Sequence, residues 1–114
     1  MRFDVVTLFP EMFSAITAYG VTGRAFKQGL VEAHFHNPRD YAETAYGSVD
    51  DKSYGGGPGQ VMQVAPLRKA IKAAQGELPR ARVIYLSPQG PRLTQTKIEA
   101  LLKCSRLVLL AGRY

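Results

Sequence analysis

The residues with most chemistry in this sequence stand in one glycine-rich stretch, Val49-Asp50-Asp51-Lys52-Ser53-Tyr54-Gly55-Gly56-Gly57-Pro58-Gly59. No Gly-Lys-Ser/Thr follows it, which excludes a P-loop. It also lacks the G-x-G-x-x-G spacing and the directly preceding strand of a dinucleotide fingerprint. Glycine runs are commonly flexible connections. Here Pro58 stiffens the run, while Asp50, Asp51 and Tyr54 add acceptors and a stacking ring, the parts a loop needs to lie flat against a planar base. A carboxylate accepts from the N1–H and N2–H edge of a guanine, and backbone amides donate to its O6. A second candidate is Ser87-Pro88-Gln89-Gly90, directly after a strand-like run, and a third is Gly112, directly after another. A glycine at such a point lets a ligand approach the backbone. His34 and His36 share one face of a strand, but no third ligand of suitable type stands nearby, so an exposed strand face is expected rather than a metal site. No serine has a base at recognisable spacing, which leaves nucleophilic hydrolase chemistry without support. Cys104 reads as a small core or boundary residue.

These residues need elements to hold them. Arg2–Leu8 is a β-rich run stopped by Phe9-Pro10, and Pro10-Glu11 suits a helix start. Met12, Phe13 and Ile16 predict a short buried helix face. Gly20 and Gly23 bracket an expected turn before a helical stretch at Arg24–Gly29, and Leu30–His36 alternates as a strand. Asn37–Gln60 reads as one long glycine-rich loop, a length typical of lids and binding loops. Val64, Leu67, Ile71 and Ala74 fall on one helical face, with Arg68, Lys69 and Lys72 turned away, and Gly76 is a natural stop. Arg82–Leu86 is a strand. Thr94 caps a helix whose expected buried face is Ile98, Leu101 and Leu102. Arg106–Ala111 is a continuous apolar strand of the kind buried on both faces. If the chain ended at Tyr114, that strand would be left as a sticky edge. Strands alternating with helices define an α/β fold, a mainly parallel sheet with flanking helices. Ligands of such sheets sit at the carboxyl ends of the strands, where Ser87–Gly90 and Gly112–Tyr114 fall.

Composition narrows the classes. The 114 residues suit one domain or part of one. A single cysteine excludes a disulfide scaffold and fits a reducing cytoplasm. The longest apolar run, Leu107–Ala111, is far short of a membrane span, and Asp4 and Pro10-Glu11 interrupt any secretory signal. The net charge of +6 is unevenly spread: residues 1–57 carry five Lys/Arg against seven Asp/Glu, residues 58–114 ten against two. The second half is either a set of solvated basic helix faces or a surface for a polyanion such as RNA. On the residues alone, a nonenzymatic RNA-binding module and a nucleotide-binding α/β domain both remain open.

Several motifs in order carry a resemblance: Leu8-Phe9-Pro10-Glu11-Met12-Phe13, Tyr19-Gly20-Val21-Thr22-Gly23-Arg24-Ala25, Pro38-Arg39-Asp40, Val49-Asp50-Asp51, Tyr54–Gly59, Ile84-Tyr85-Leu86-Ser87-Pro88-Gln89-Gly90 and Gly112-Arg113-Tyr114. Across essentially its whole length the chain resembles the bacterial tRNA (guanine-N1)-methyltransferases. It departs from their usual pattern at Ser53 and Gln60, where proline and methionine are common. The resemblance implies a SPOUT-type methyltransferase domain whose trefoil knot is incomplete within residues 1–114. These residues would be its N-terminal part, with the C-terminal half and a tRNA-binding helical domain beyond. It implies S-adenosylmethionine as methyl donor, dependence on Mg²⁺, tRNA as substrate, a homodimer and a cytoplasmic location. The methylated atom would be N1 of the guanosine 3′ to the anticodon, position 37. Carried over residue by residue, Tyr85, Leu86, Ser87, Pro88, Gly90, Gly112 and Tyr114 would bind the cofactor. Asp50, Tyr54, Gly55, Gly56, Gly57 and Gly59 would meet the guanosine and its neighbour. The general base would lie in the C-terminal half, so the 114 residues alone are expected to be inactive.

Overall fold

The computed structural model describes residues 1–42, 50–52, 60–62, 64–76 and 81–111, with the backbone alone at 50–52 and 60–62. Its elements in chain order are β1 (Arg2–Thr7), α1 (Ser14–Thr17), α2 (Gly20–Lys27), β2 (Glu32–His36), β3 (Asp50–Lys52), β4 (Gln60–Met62), α3 (Val64–Gln75), β5 (Arg82–Tyr85), α4 (Gln95–Leu101) and β6 (Arg106–Ala111). Two 3-10 turns, Pro10–Phe13 and Pro38–Tyr41, follow β1 and β2. Strands β2, β1, β6 and β5 form one sheet in that order, every pairing parallel. Strands β3 and β4 make a separate antiparallel pair. The expected α/β sheet is therefore present. Strand β6 is an interior strand, flanked by β1 and β5, so the edges of the sheet are β2 and β5 and the expectation of β6 as an open edge is corrected.

Side chains alternate across the sheet. One face presents Val6, Val108, Leu110 and Val83, and α3 covers it with Ala70 and Ala74. Pro66 is fully buried beside them. Positions 66, 70 and 74 recur every four residues, and their small side chains let the helix axis come close to the sheet. Leu67 and Ile71 pack at the margin of this core, whereas Val64 is 65% exposed. The buried stripe is thus rotated from the expected Val64–Leu67–Ile71–Ala74 line, because the alanines pack more closely than the larger residues. Arg68, Lys69 and Lys72 face solvent as expected. Gly76 has φ +66°, a left-handed conformation that ends α3 at little steric cost.

The other face carries Phe3, Val5, Ala33, Phe35 and Leu109 under α1 and α2. Here the short elements differ from expectation. Met12 and Ile16 are exposed rather than buried, and Phe13 is the residue that reaches the sheet, its ring centroid 5.4 Å from that of Phe35. Proline at the first helical position sets a 3-10 turn, which points consecutive side chains differently from an α-helix. Gly20 opens α2, and Gly23 lies buried inside it rather than in a turn. A Cβ on Gly23 would stand 2.7 Å from the backbone of Ala18, so the close α1–α2 approach requires glycine. The Thr22 hydroxyl donates to the Ile16 carbonyl at 2.6 Å and closes the joint. Asn37–Gln60 is not one loop: it contains the Pro38–Tyr41 turn and strand β3 and runs to the first residue of β4. Thr94 caps α4 as expected, accepting from the Lys97 amide at 3.3 Å. Its apolar face is not buried, since Ile98 and Leu102 are exposed and Leu101 is half-buried.

Candidate functional site

The parallel sheet gathers one set of expected site residues at a single place. Tyr85 is the last residue of β5. The next amide, that of Leu86, donates to the Leu110 carbonyl at 3.0 Å, so the pairing of β5 with β6 runs one residue past the strand. That bond sets the Ser87–Gly90 turn beside the carboxyl end of β6. The turn is then closed from within. The Gln89 amide donates to the Ser87 hydroxyl at 3.2 Å, and the Gly90 amide to the Ser87 carbonyl at 3.2 Å. Ser87 thereby organises the turn while its own hydroxyl proton has no acceptor among the described residues. Tyr85 and Leu86 are 52% and 49% exposed, so apolar surface is open at the strand end.

Gly90 explains itself by what does not surround it. Its φ is not in the positive region, and a Cβ there would meet only the Ser87 carbonyl oxygen, at an ordinary 3.5 Å. Neither backbone strain nor internal packing asks for glycine here. Among the described residues the turn is open beside Gly90.

The other expected residues are not brought together by the described structure. Asp50 opens β3, opposite Met62 of β4. Gly112 and Tyr114 lie outside the described residues, as do Tyr54, Gly55, Gly56, Gly57 and Gly59. Among the described residues no group of three or more His, Cys, Asp or Glu is placed to hold a metal ion. No described helix is long and apolar enough to cross a membrane.

A charged cluster that the sequence did not announce lies on the α3 side of the sheet. Asp4 is fully buried in β1. Its carboxylate accepts from Arg2 Nε and Nη2 at 3.0 Å, from Arg106 Nε at 3.0 Å, and meets His36 Nε2 at 2.9 Å. Burial alone would raise its pKa, but the hydrogen bonds from Arg2 and His36 and the charges of Arg106 and Arg2 outweigh burial and hold it below the ordinary carboxylate value. Arg106 also donates to the Ala74 carbonyl at 2.6 Å, tying the end of α3 to the first residue of β6. His36 is therefore part of a buried ionic cluster, not of an exposed face, while His34 is exposed and meets Glu32 at 3.2 Å. An aspartate beside Val5 and Val6 in an apolar strand calls for a buried partner, but the sequence does not say which residues supply it. The cluster binds strands and helix together and lies away from the Ser87 turn.

Known proteins resemble the chain along its whole length. The family model described as tRNA (Guanine-1)-methyltransferase TrmD matches residues 1–114. The tRNA (guanine-N(1)-)-methyltransferase of Marinomonas sp. (strain MWYL1) is 56% identical over 114 residues, which is 100% of this chain and 46% of that protein. The Halorhodospira halophila protein of the same name is 55% identical over 99% of this chain and 43% of its own length. The crystal structure of tRNA (m1G37) methyltransferase from Aquifex aeolicus superposes with a TM-score of 0.85 at 34% identity, covering 99% of this chain and 51% of that one. The chain thus spans about half the length of the relatives it matches. From its first residue to its last, it belongs to the tRNA (Guanine-1)-methyltransferase TrmD family.

Proposed function

We propose that the protein carrying this chain methylates N1 of the guanosine 3′ to the anticodon, position 37, in tRNA. The observation that carries this is the match of the family model to all 114 residues. The strand-end turn, whose Gly90 has no positive φ and no crowding at its Cβ position among the described residues, supports it. S-adenosylmethionine is the expected donor, and when bound it supplies a methyl group on a sulfonium that leaves as a neutral thioether. The described residues fit such a molecule. Tyr85 and Leu86 offer apolar surface for a purine, Ser87 has a hydroxyl proton to donate, and Pro88 and Gly90 leave the backbone approachable. We assign Gly112 and Tyr114 to the same site from the next strand, and Asp50, Tyr54, Gly55, Gly56, Gly57 and Gly59 to the guanosine and its neighbour.

The chemistry defines what the protein must do. Guanine N1 carries a proton at neutral pH, so a base must accept it as the methyl group arrives. The leaving thioether is neutral, so placing N1 in line with the methyl group contributes more than activating the departure. Asp50 suits recognition: its carboxylate can accept from the guanine edge and hold it in register. No residue among these 114 is assigned as the base. A polypeptide of these residues alone is accordingly expected to transfer no methyl group, and the working unit is expected to be a homodimer.

The test is methyl transfer from labelled adenosylmethionine by the whole protein. Label should enter a tRNA with guanosine at position 37 and fail to enter the same tRNA with adenosine there. Equal labelling of both would overturn the reading.

A further inference from the structure

A groove of about 450 Å³ lies along α3, lined among the described residues by the apolar Val64, Leu67 and Ile71 and by the polar Arg68, Lys72 and Gln75. Helix α3 contains three cations and no acidic residue. Among the described residues no carboxylate pairs with Arg68, Lys69 or Lys72, while the four ion pairs of the described structure lie elsewhere. Arg68 and Lys72 stand four residues apart, a like-charge spacing that destabilises an isolated helix. A fold indifferent to partners gains nothing from it. Cations of one sign beside low-dielectric walls focus the field into the groove.

The direction of the groove is fixed by its contacts. Near the carboxyl ends of the strands, α3 packs against the Pro38–Tyr41 turn that follows β2. At its other end it is tied through Ala74 to Arg106, the first residue of β6. The groove therefore leads from the ligand end of the sheet towards the opposite end. Arg68 and Lys72 are separated by about 6 Å of helix rise, close to the spacing of successive phosphates on a nucleic-acid strand.

We propose that this groove seats the phosphate backbone of the tRNA beside the nucleotide being modified, with Arg68 and Lys72 each meeting a phosphate. This rests on the functional reading above. It adds a surface of contact outside the strand-end site, committed to RNA by charge complementarity.

The experiment is equilibrium binding of unmodified tRNA to the whole protein across a series of salt concentrations. It compares the wild type, Arg68→Gln/Lys72→Gln and the charge-preserving Arg68→Lys/Lys72→Arg. Circular dichroism verifies that each is folded, and adenosylmethionine affinity is measured in parallel. The neutral variant should bind tRNA roughly tenfold or more weakly at low salt. Its plot of log affinity against log salt should be shallower by about 2, one for each lost phosphate contact. Adenosylmethionine affinity should not move, and the charge-preserving variant should keep the wild-type slope. A neutral variant with wild-type slope and intact methyl transfer overturns this inference alone. So does a neutral variant that changes only the sedimentation of the protein, which would assign the groove to a protein contact. A wild type that binds no tRNA at any salt overturns both this inference and the functional reading.

Discussion

At the scale of single residues, Gly90 and Asp4 represent opposite kinds of constraint. Nothing in the described structure holds Gly90 to its identity, since its φ is ordinary and its surroundings are open. Gly90→Val should therefore leave the urea midpoint nearly unchanged and sharply weaken adenosylmethionine binding, with tRNA affinity much less affected. Titration calorimetry with each ligand checks this, and an unaltered cofactor affinity would remove Gly90 from the site. Asp4 is constrained from every side. Its pKa is lowered in the folded state, so its contribution to stability is complete above the unfolded carboxylate value of about 3.9 and is lost as pH falls through the lower folded value. Asp4→Asn should cost about 3–5 kcal/mol, because Arg106 and Arg2 lose their partner. It should also flatten the acid limb of a stability–pH curve measured by urea unfolding below about pH 4. The glycine at position 90 was legible in the sequence as the end of a strand-turn motif. The Asp4 cluster was not, because its partners come from residues 36 and 106 and only the parallel register places them around one carboxylate.

At the scale of elements, tight joints rather than long helices position the first third of the chain. The α1–α2 joint depends on Gly23 lying against Ala18 and on the Thr22 hydroxyl bonding the end of α1. Gly23→Ala should destabilise the fold by about 1–3 kcal/mol, the usual cost of overpacking a site that cannot yield. Thermal unfolding would measure it, and an unchanged midpoint would mean that the two helices are free to separate. The long, strongly patterned elements were legible: β1, α3, β5 and β6 follow from apolar periodicity, and Gly76 and Thr94 from stop and cap chemistry. The short ones were not. Periodicity over four residues does not distinguish a 3-10 turn from an α-helical turn, so pattern places Met12 and Ile16 in the core although both are exposed. The α3 stripe shifted for a different reason: alanines approach the sheet more closely than the larger apolar residues beside them, which pattern alone does not rank.

At the scale of the whole molecule, the four-stranded parallel sheet sets the Asp4 cluster and the Ser87 turn apart. The Asp4 cluster and the Arg106 tie to α3 hold the body of the sheet, while the Ser87 turn stands where the strands finish. The sequence conveyed this polarity through the placement of its motifs after strands, and the parallel topology explains why such placement matters. The central claim is that adenosylmethionine is held at the carboxyl ends of β5 and β6. The most direct measurement is hydrogen exchange of the whole protein with and without adenosylmethionine. The account predicts added protection in the segment Tyr85–Pro91, with no change at Arg2–Val6 or in the segment Phe13–Lys27. Protection confined to Phe13–Lys27, or absent from Tyr85–Pro91, would contradict it.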